Sequence, residues 1–504
     1  MWPLFILDEL NPIWAVLIPL FATPFIAILG DKCRNARESV IIIAGILTFI
    51  TNIILLKGLL NGTPISSGEQ VLFTGMSLKL SAEPLGVLFA LLASFLWIVT
   101  TIYSIGYMRA HQEKNQTRFY LCFAIAISAV MAAAYSDNLL TLFVAYEAIT
   151  LSTVPLVTHA GTPAAQRAGR IYIMTLMGAS IGLLMPAMIW IWFETGSLDF
   201  VPGGILADTS LSPLSLSILL GLIVFGTAKA ALMPMHGWLP NAMVAPTPVS
   251  ALLHAVAVVK TGVFLILKVV VYIFGLQTLS ETGAANWLIY ISCTTILLAS
   301  LIALTKDNLK ARLAYSTIGQ LSYIILAALL ATSESIVGGG LHIVAHAFGK
   351  ITLFFCAGAI LVSLHVKNVS DLDGMGKHIP LTMGAFFIGA ISIIGLPPTG
   401  GLWSKFSIAI GSLDAGLMFP VTVLTLSSLL NIAYLLPIPI RAFFLDKKAT
   451  ENNQHTTLAP SNSQNLFGME PMACKIAIAI TMSACIALFF TANHITDMLY
   501  IMAR

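Results

Sequence analysis

The sequence predicts an all-α polytopic membrane protein of about 14 transmembrane helices, with two inverted five-helix repeats and broken helices in spans 7 and 12. Three observations carry that prediction. Hydrophobic residues are 58% of the 504 and charged residues 9%, against about a quarter charged in an ordinary soluble domain. The apolar residues come in continuous runs rather than the alternation of a barrel. Lys and Arg between the runs change sides from loop to loop.

A mean hydropathy of +0.92 excludes a soluble enzyme, because a fold of this size could not hide so much apolar surface. It equally excludes a disordered chain and a nucleic-acid binder. Net charge is only +3, so no global polybasic attraction is expected. The six cysteines (Cys33, Cys122, Cys293, Cys356, Cys474 and Cys485) show no C-x-x-C spacing. They read as small buried side chains rather than metal or Fe–S ligands. There is no G-x-G-x-x-G and no P-loop, so the chain is expected to hold neither a cofactor nor a metal of its own. Asp8 and Glu9 precede the first apolar run, which therefore reads as a retained helix and not a cleaved signal.

A helix needs roughly 20 apolar residues to cross the hydrocarbon core. Such runs lie near 12–29, 38–56, 84–107, 119–135, 138–158, 168–193 and 213–233. Others follow near 248–275, 286–305, 312–331, 336–364, 380–411, 415–440 and 472–491. The polar segment 446–470 reads as a mobile loop. Alternate loops, from Lys32, Arg34 and Arg37 through Lys306, Lys310 and Arg312 to Arg441, Lys447 and Lys448, hold sixteen basic residues. The opposite loops hold only Lys57, Lys79 and Arg504. The positive-inside rule then puts both termini on the outer side of the membrane. On this reading Arg109, Arg118, Arg167 and Arg170 set topology, and His159 is a solvated loop residue.

The middle of the chain repeats itself weakly. Asp137-Asn138-Leu139, Ala145-Tyr146 and Leu151-Ser152 are matched by Asp307-Asn308-Leu309, Ala314-Tyr315 and Leu321-Ser322, 169 or 170 residues later. Units with an odd number of spans must be inverted relative to each other. The organisation is then 1–110 (three N-terminal spans), 111–275 (first unit), 276–440 (second unit) and 441–504 (loop and last span). Each unit has a break in its fourth span, at Pro234 and at Pro397-Pro398. Proline removes a backbone donor, and freed backbone at membrane depth needs protein or a wet cavity beside it.

Ionisable residues inside a bilayer cost several kcal/mol and are functional hypotheses by default. Glu147 is the acidic residue well inside a span, and Lys229, Lys260, Lys350 and Lys405 also fall within spans. His342, His346 and Lys350 recur at i, i+4 and i+8 on one helix face. With His254, these groups form a row that could relay protons across the midplane. A buried Lys–Glu pair is a switch, since withdrawing the carboxylate lets an amine give up its proton, and histidines can pass it on. The bland alternative is structural ion pairing and snorkelling. His236 lines an entrance or caps a half-helix. Ser316, Thr317 and Gln320 hydrogen-bond between helices or hold water.

The stretch from Pro234-Met235-His236-Gly237-Trp238-Leu239-Pro240 to Ala251-Leu252-Leu253-His254-Ala255 resembles the antiporter-like subunits of respiratory complex I, membrane-bound hydrogenases and Mrp-type cation/proton antiporters. Arg312-Leu313-Ala314-Tyr315-Ser316-Thr317-Ile318-Gly319-Gln320, His346-Ala347-Phe348-Gly349-Lys350 and Gly395-Leu396-Pro397-Pro398-Thr399-Gly400-Gly401-Leu402-Trp403-Ser404-Lys405 fit the same family. The resemblance covers about residues 80–440. It implies two half-channels and a central hydrophilic axis. Glu147 falls at the family's span-five glutamate, Lys229 at its span-seven lysine and Lys350 at its span-eleven lysine. Lys260 or His254 falls at the span-eight connector, and Lys405 at the terminal group. Asn241 departs from the usual aspartate after Trp-Leu-Pro. Lys260 and the Pro-Pro-Thr-Gly-Gly stretch look most like the D-type chain of Mrp antiporters. The resemblance thus implies a subunit of a multi-subunit Na+/H+ antiporter in a bacterial inner membrane, with other membrane subunits, lipid, protons and Na+ as partners. The alternatives are the same module in a complex I or hydrogenase-type redox complex, a non-transporting scaffold, and an independent transporter of a small solute.

Overall fold

The structure is a computed structural model that describes residues 11–445 and 470–503, apart from 64, 74 and 75. Asp8, Glu9, Lys447, Lys448, Arg504 and nearly all of the predicted 446–470 loop lie outside the described residues.

The chain is almost wholly helical. Helices α1 (Ile13–Leu29) and α2 (Arg34–Leu60) precede a small antiparallel hairpin, β1 (Gln70–Phe73) with β2 (Met76–Leu78). Then come α3 (Pro84–Ala110), α4 (Gln116–Ala134), α5 (Leu139–Val157) and α6 (Pro163–Ala179). A π-turn joins α6 to α7 (Met185–Thr195), and α8 (Pro213–Gly226) follows. Short helices α9 (Trp238–Asn241) and α10 (Thr247–Ala251) lead into α11 (Val258–Val269) and α12 (Leu276–Thr282). The remainder is α13 (Asn286–Thr305), α14 (Leu309–Leu329), α15 (Ser333–Leu364), α16 (Pro380–Ile394), α17 (Gly401–Asp414), α18 (Met418–Leu435), α19 (Pro437–Phe444) and α20 (Met472–Ala503).

Local chemistry sets many of these starts. Prolines open α3, α6, α8, α16 and α19, where the missing N–H has no intrahelical partner anyway. Asn138, Thr162, Ser212, Asn308 and Thr332 cap their helices by accepting from a backbone N–H three residues on. Ten helical segments among the described residues are long and apolar enough to cross a membrane, and α1, α8 and α16 are shorter apolar helices.

The rod from Thr247 to Phe274, which joins α10 and α11 through π-turns, is buried along its apolar length. It packs against α3, α14 and α15, while α20 closes over α3 and α15. The ends of the sequence-repeated segments are built alike. Leu139 N donates to Leu198 O and Phe200 N to Asp137 O. In the second segment Leu309 N donates to Lys367 O and Val369 N to Asp307 O.

Two predictions are corrected here. His159 is not solvated: it is 4% exposed, because its Nε2 lies 3.0 Å from Lys114 O and Arg118 donates to its carbonyl. The second span starts at Arg34, earlier than the predicted 38, and includes a buried Arg37. The two terminal nitrogens of that guanidinium donate to Asp31 at 2.6 Å, to Thr117 at 2.9 Å and to Gln116 at 3.3 Å, while Arg109 pairs with the neighbouring Glu38. Arg37 and Arg109 therefore fasten α2 to the α3–α4 connection.

Candidate functional site

The site is assembled around the two helix breaks. The first begins where α8 stops at Gly226 and the chain makes a 3-10 turn over Ala228–Ala230. Trp238 Nε1 donates to Ala228 O at 2.9 Å and fixes that turn. Gly262 of α11 crosses directly behind it; a Cβ there would sit 2.5 Å from Ala230 N. The turn presents Lys229 to α5. Its Nζ donates to Tyr146 O and to Thr150 Oγ1, both at 2.6 Å, and stands 3.0 Å from the centre of the Tyr146 ring.

Glu147, the adjacent residue on α5, forms no ion pair within 4.0 Å of Lys229; both carboxylate oxygens are buried without a hydrogen-bond partner. The expected Lys–Glu pair is thus open in this structure. The reason is local: Tyr146 O and Thr150 Oγ1 already satisfy the amine.

In the centre, Lys260 of α11 meets α15. Its Nζ lies 2.7 Å from His346 Nδ1. One turn away, His342 Nδ1 lies 2.8 Å from Ser404 Oγ of α17, and its Nε2 lies 3.2 Å from Gln320 Oε1 of α14. An amide oxygen only accepts, so Nε2 carries the hydrogen towards Gln320, and the Ser404 hydroxyl lies within reach of both Nδ1 and Gly401 O, the latter 3.1 Å away. The His342 and His346 rings are 6.1 Å apart, centre to centre. His254 sits in the π-turn at Leu252–Val256, with both ring nitrogens buried and unpartnered and its ring 4.7 Å from that of Phe354. Of the two connector candidates, Lys260 makes the cross-helix hydrogen bond.

Two turns beyond His342, Lys350 donates to Ser316 Oγ at 2.6 Å and Leu313 O at 3.3 Å. Tyr434 OH donates to Ser316 Oγ at 2.8 Å, extending the network to α18. The second break spans Gly395–Gly400, between α16 and α17. Gly401 packs so closely that a Cβ would stand 1.9 Å from Ser392 O. Lys405 turns back into this break, donating to Ile394 O at 3.0 Å and Ser428 Oγ at 3.1 Å, with Tyr323 4.7 Å away.

Pro234, Pro397 and Pro398 all lie within the breaks. His236 lies in the first, its Nδ1 buried without a partner and its ring 6.4 Å from Tyr315. Thr317 bonds back to its own helix at Leu313 O, so of the three span-ten polar residues Ser316 and Gln320 bridge helices.

The four lysines Lys229, Lys260, Lys350 and Lys405 have no carboxylate within ion-pair distance among the described residues. They are held by hydroxyls, carbonyls and an imidazole. Hydroxyls and imidazoles both donate and accept, which a proton chain requires. Salt bridges clamped at every lysine would instead hold the charges in place.

Reading by sequence missed two lysines. Lys268 is fully buried and pairs with Glu83 at 2.7 Å, while donating to Ser136 O at 2.5 Å. Its depth in an apolar run was a signal; its partner, just before α3, was not. Lys310, counted among loop charges, donates to Ala245 O at 2.6 Å from a half-buried position.

A protein family described as NADH:quinone oxidoreductase/Mrp antiporter, TM matches residues 136–431. The NADH-quinone oxidoreductase subunit N of Desulforudis audaxviator is 30% identical over 434 residues, covering 84% of both chains. The NAD(P)H-quinone oxidoreductase chain 5 of Synechocystis is 30% identical over 350 residues, 65% of this chain and 49% of that one, so the match spans about half the length of that relative. Among solved structures, the fold superposes on a chain of the Mrp complex from Dietzia with a TM-score of 0.81, 20% identity and coverage of 98% and 97%. A chain of an archaeal membrane-bound sulfane sulfur reductase gives a TM-score of 0.79 at 21% identity, covering 96% and 95%.

Proposed function

The chain belongs to the NADH:quinone oxidoreductase/Mrp antiporter transmembrane family, and from that membership we propose that it is the proton-translocating subunit of an Mrp-type Na+/H+ antiporter. It is an integral, multi-pass membrane protein and an antiporter-like subunit of the kind found in complex I-like and Mrp-like assemblies. The observation that carries the proposal is the row Lys229, Lys260–His346–His342, Lys350 and Lys405, buried between two helix breaks with no carboxylate clamped on any of the four lysines among the described residues.

In this reading Glu147 approaches Lys229 in one state and leaves it in another. Approach holds the ammonium; departure releases a proton into the row. Lys260 and His346 hand it between the 111–275 and 276–440 halves, with His254 on the same helix as Lys260. Lys350 and Lys405 carry it to the far break. The coupling ion is Na+, the partners are other membrane subunits, and the membrane is a bacterial inner membrane with both termini outside.

A second reading is favoured by the curated relatives, which are subunits of NADH- and NAD(P)H-quinone oxidoreductases. There the same row would be driven by a redox reaction in partner chains. Purifying the chain from its native membrane and identifying its partners by mass spectrometry separates the two: small membrane subunits alone support the antiporter, flavin or Fe–S proteins the redox complex. Lys229→Ala tests what both share. Transport in vesicles should be abolished while partners still co-purify; normal transport would sink the mechanism.

A further inference from the structure

The two repeated units hold a lysine in the same way. In the first, Lys229 rests on α5, donating to a backbone carbonyl, Tyr146 O, and to a hydroxyl one turn further on, Thr150 Oγ1. In the second, Lys350 rests on α14, donating to Leu313 O and, about a turn further on, to Ser316 Oγ. The two receiving helices are the sequence-repeated ones. Both start at an asparagine cap, Asn138 and Asn308, and both carry an Ala-Tyr pair further along.

They differ in charge. Beside Tyr146 stands Glu147, a buried carboxylate with both oxygens free of hydrogen bonds. α14 holds no Asp or Glu over its whole length. Counted from the caps, the counterpart of Glu147 is Thr317; counted from the Ala-Tyr pairs, it is Ser316. Either register puts a hydroxyl where the first unit has a carboxylate. Thr317 turns its hydroxyl back to Leu313 O at 2.9 Å. Ser316 is buried, 2.6 Å from Lys350 Nζ, and receives Tyr434 OH at 2.8 Å. A hydroxyl oxygen accepts two donors, so both are satisfied with no ionised partner. A carboxylate in that place would favour the ammonium by about 10- to 1000-fold.

Resting on the proton-translocating function, we propose that Ser316 is a positioning residue of the second unit: its neutral hydroxyl holds Lys350 in place without holding a proton on it. Lys350 becomes the ammonium on taking a proton from the row and returns to the amine on passing it towards Lys405. Ser316 keeps its own hydrogen throughout. The first unit retains a proton until Glu147 withdraws; the second passes on what it receives. The side chain at 316 keeps the switch single. A carboxylate there would make a second one, held closed by a helix contact that already exists.

The test uses the complete complex in vesicles. Ser316→Asn and Ser316→Asp introduce side chains of one shape, and both accept from Lys350 and Tyr434. A merely structural role is met equally by either. We expect Ser316→Asn to transport at close to the wild-type rate and Ser316→Asp to fall by at least about tenfold, the lower bound of the charge effect, while partners co-purify with both. Equal rates in the two variants, fast or slow, overturn the proposal. A second pair stands on its own if the aspartate disturbs assembly. Ser316→Ala withdraws the hydroxyl and leaves Lys350 with Leu313 O at 3.3 Å. It should slow transport by about tenfold, against about 100-fold for a group displaced outright, and Ser316→Thr should recover the rate. Wild-type transport in Ser316→Ala, or a Ser316→Thr rate no better than that of Ser316→Ala, overturns the proposal as well. Lys229→Ala run alongside separates the failures: if it transports normally, the relay itself falls; if it is dead while Ser316→Asp is normal, only this inference falls.

Discussion

Lys260 Nζ and His346 Nδ1 are 2.7 Å apart, on helices whose sequence positions differ by 86. This contact ties the rod through the middle of the bundle to the helix that carries His342 and Lys350. His346 Nε2 has no partner, so the ring has one nitrogen engaged and one free, as a relay group must. Lys260→Met removes the engaged partner and leaves the ring wholly unsatisfied. Transport should fall by at least about tenfold, and stability should drop by about 1–3 kcal/mol, the cost of a buried polar group left without its bond. Vesicle transport and thermal unfolding of the purified complex check the two effects separately.

The charged members of the row were legible because charge in an apolar run is rare. Glu147, Lys229, Lys260, Lys350 and Lys405 announce themselves on that ground alone. Their partners did not. Thr150, Ser316, Ser428 and Tyr434 are ordinary residues in helices full of hydroxyls, and only helix packing brings them to a lysine. The breaks were visible as proline and glycine, but the backbone carbonyls that receive Lys229 and Lys405 depend on how the chain turns there. His159 was misread for the same reason: a loop residue counts as solvated until another loop folds over it, and Lys114 O does so.

The pair between Glu83 and Lys268 is 2.7 Å long, with Lys268 fully buried and Glu83 17% exposed at its side chain. Removing one partner of such a pair leaves a buried charge uncompensated and costs about 3 kcal/mol. Lys268 would keep Ser136 O and the rings of Phe200, Phe264 and Tyr272, 4.2, 5.6 and 5.9 Å away, none of which carries a negative charge to offset its own. Glu83→Gln and Lys268→Met should therefore each lower the melting temperature markedly. The double variant should lose less than the sum of the two, because neither charge is then stranded. Additive losses would show that the two residues act independently.

His159 gives a pH dependence outside the membrane spans. Burial, then the nearby Arg118 charge, hold its imidazole below the usual 6.5. The Nε2 hydrogen goes to Lys114 O, and Nδ1 is buried with no acceptor for a second one. The unfolded chain therefore binds a proton at His159 more readily than the folded one. Its contribution is present above the unfolded value of about 6.5 and is lost as pH falls towards the lowered folded value. Thermal stability of the complex should fall on acidification below about pH 6.5, and His159→Gln should flatten that part of the curve. An unchanged slope in the variant would assign the acid sensitivity elsewhere.

Glu147 separates a relay from a scaffold most directly. Its two carboxylate oxygens are buried and make no hydrogen bond, so Glu147→Gln removes a charge without breaking a contact. Stability should not fall, and could rise a little, since an unpaired buried carboxylate is costly. A switching role predicts the opposite in transport: the neutral amide cannot hold an ammonium at Lys229, and the cycle has no state in which the proton is retained. We expect Glu147→Gln to melt at or above the wild-type temperature while transport falls by at least about tenfold, at the low end of what a lost proton-transfer group costs. Glu147→Asp, which restores the charge one methylene short, should recover part of the rate. Stability and transport falling together would place Glu147 in the framework of the bundle rather than in its proton path.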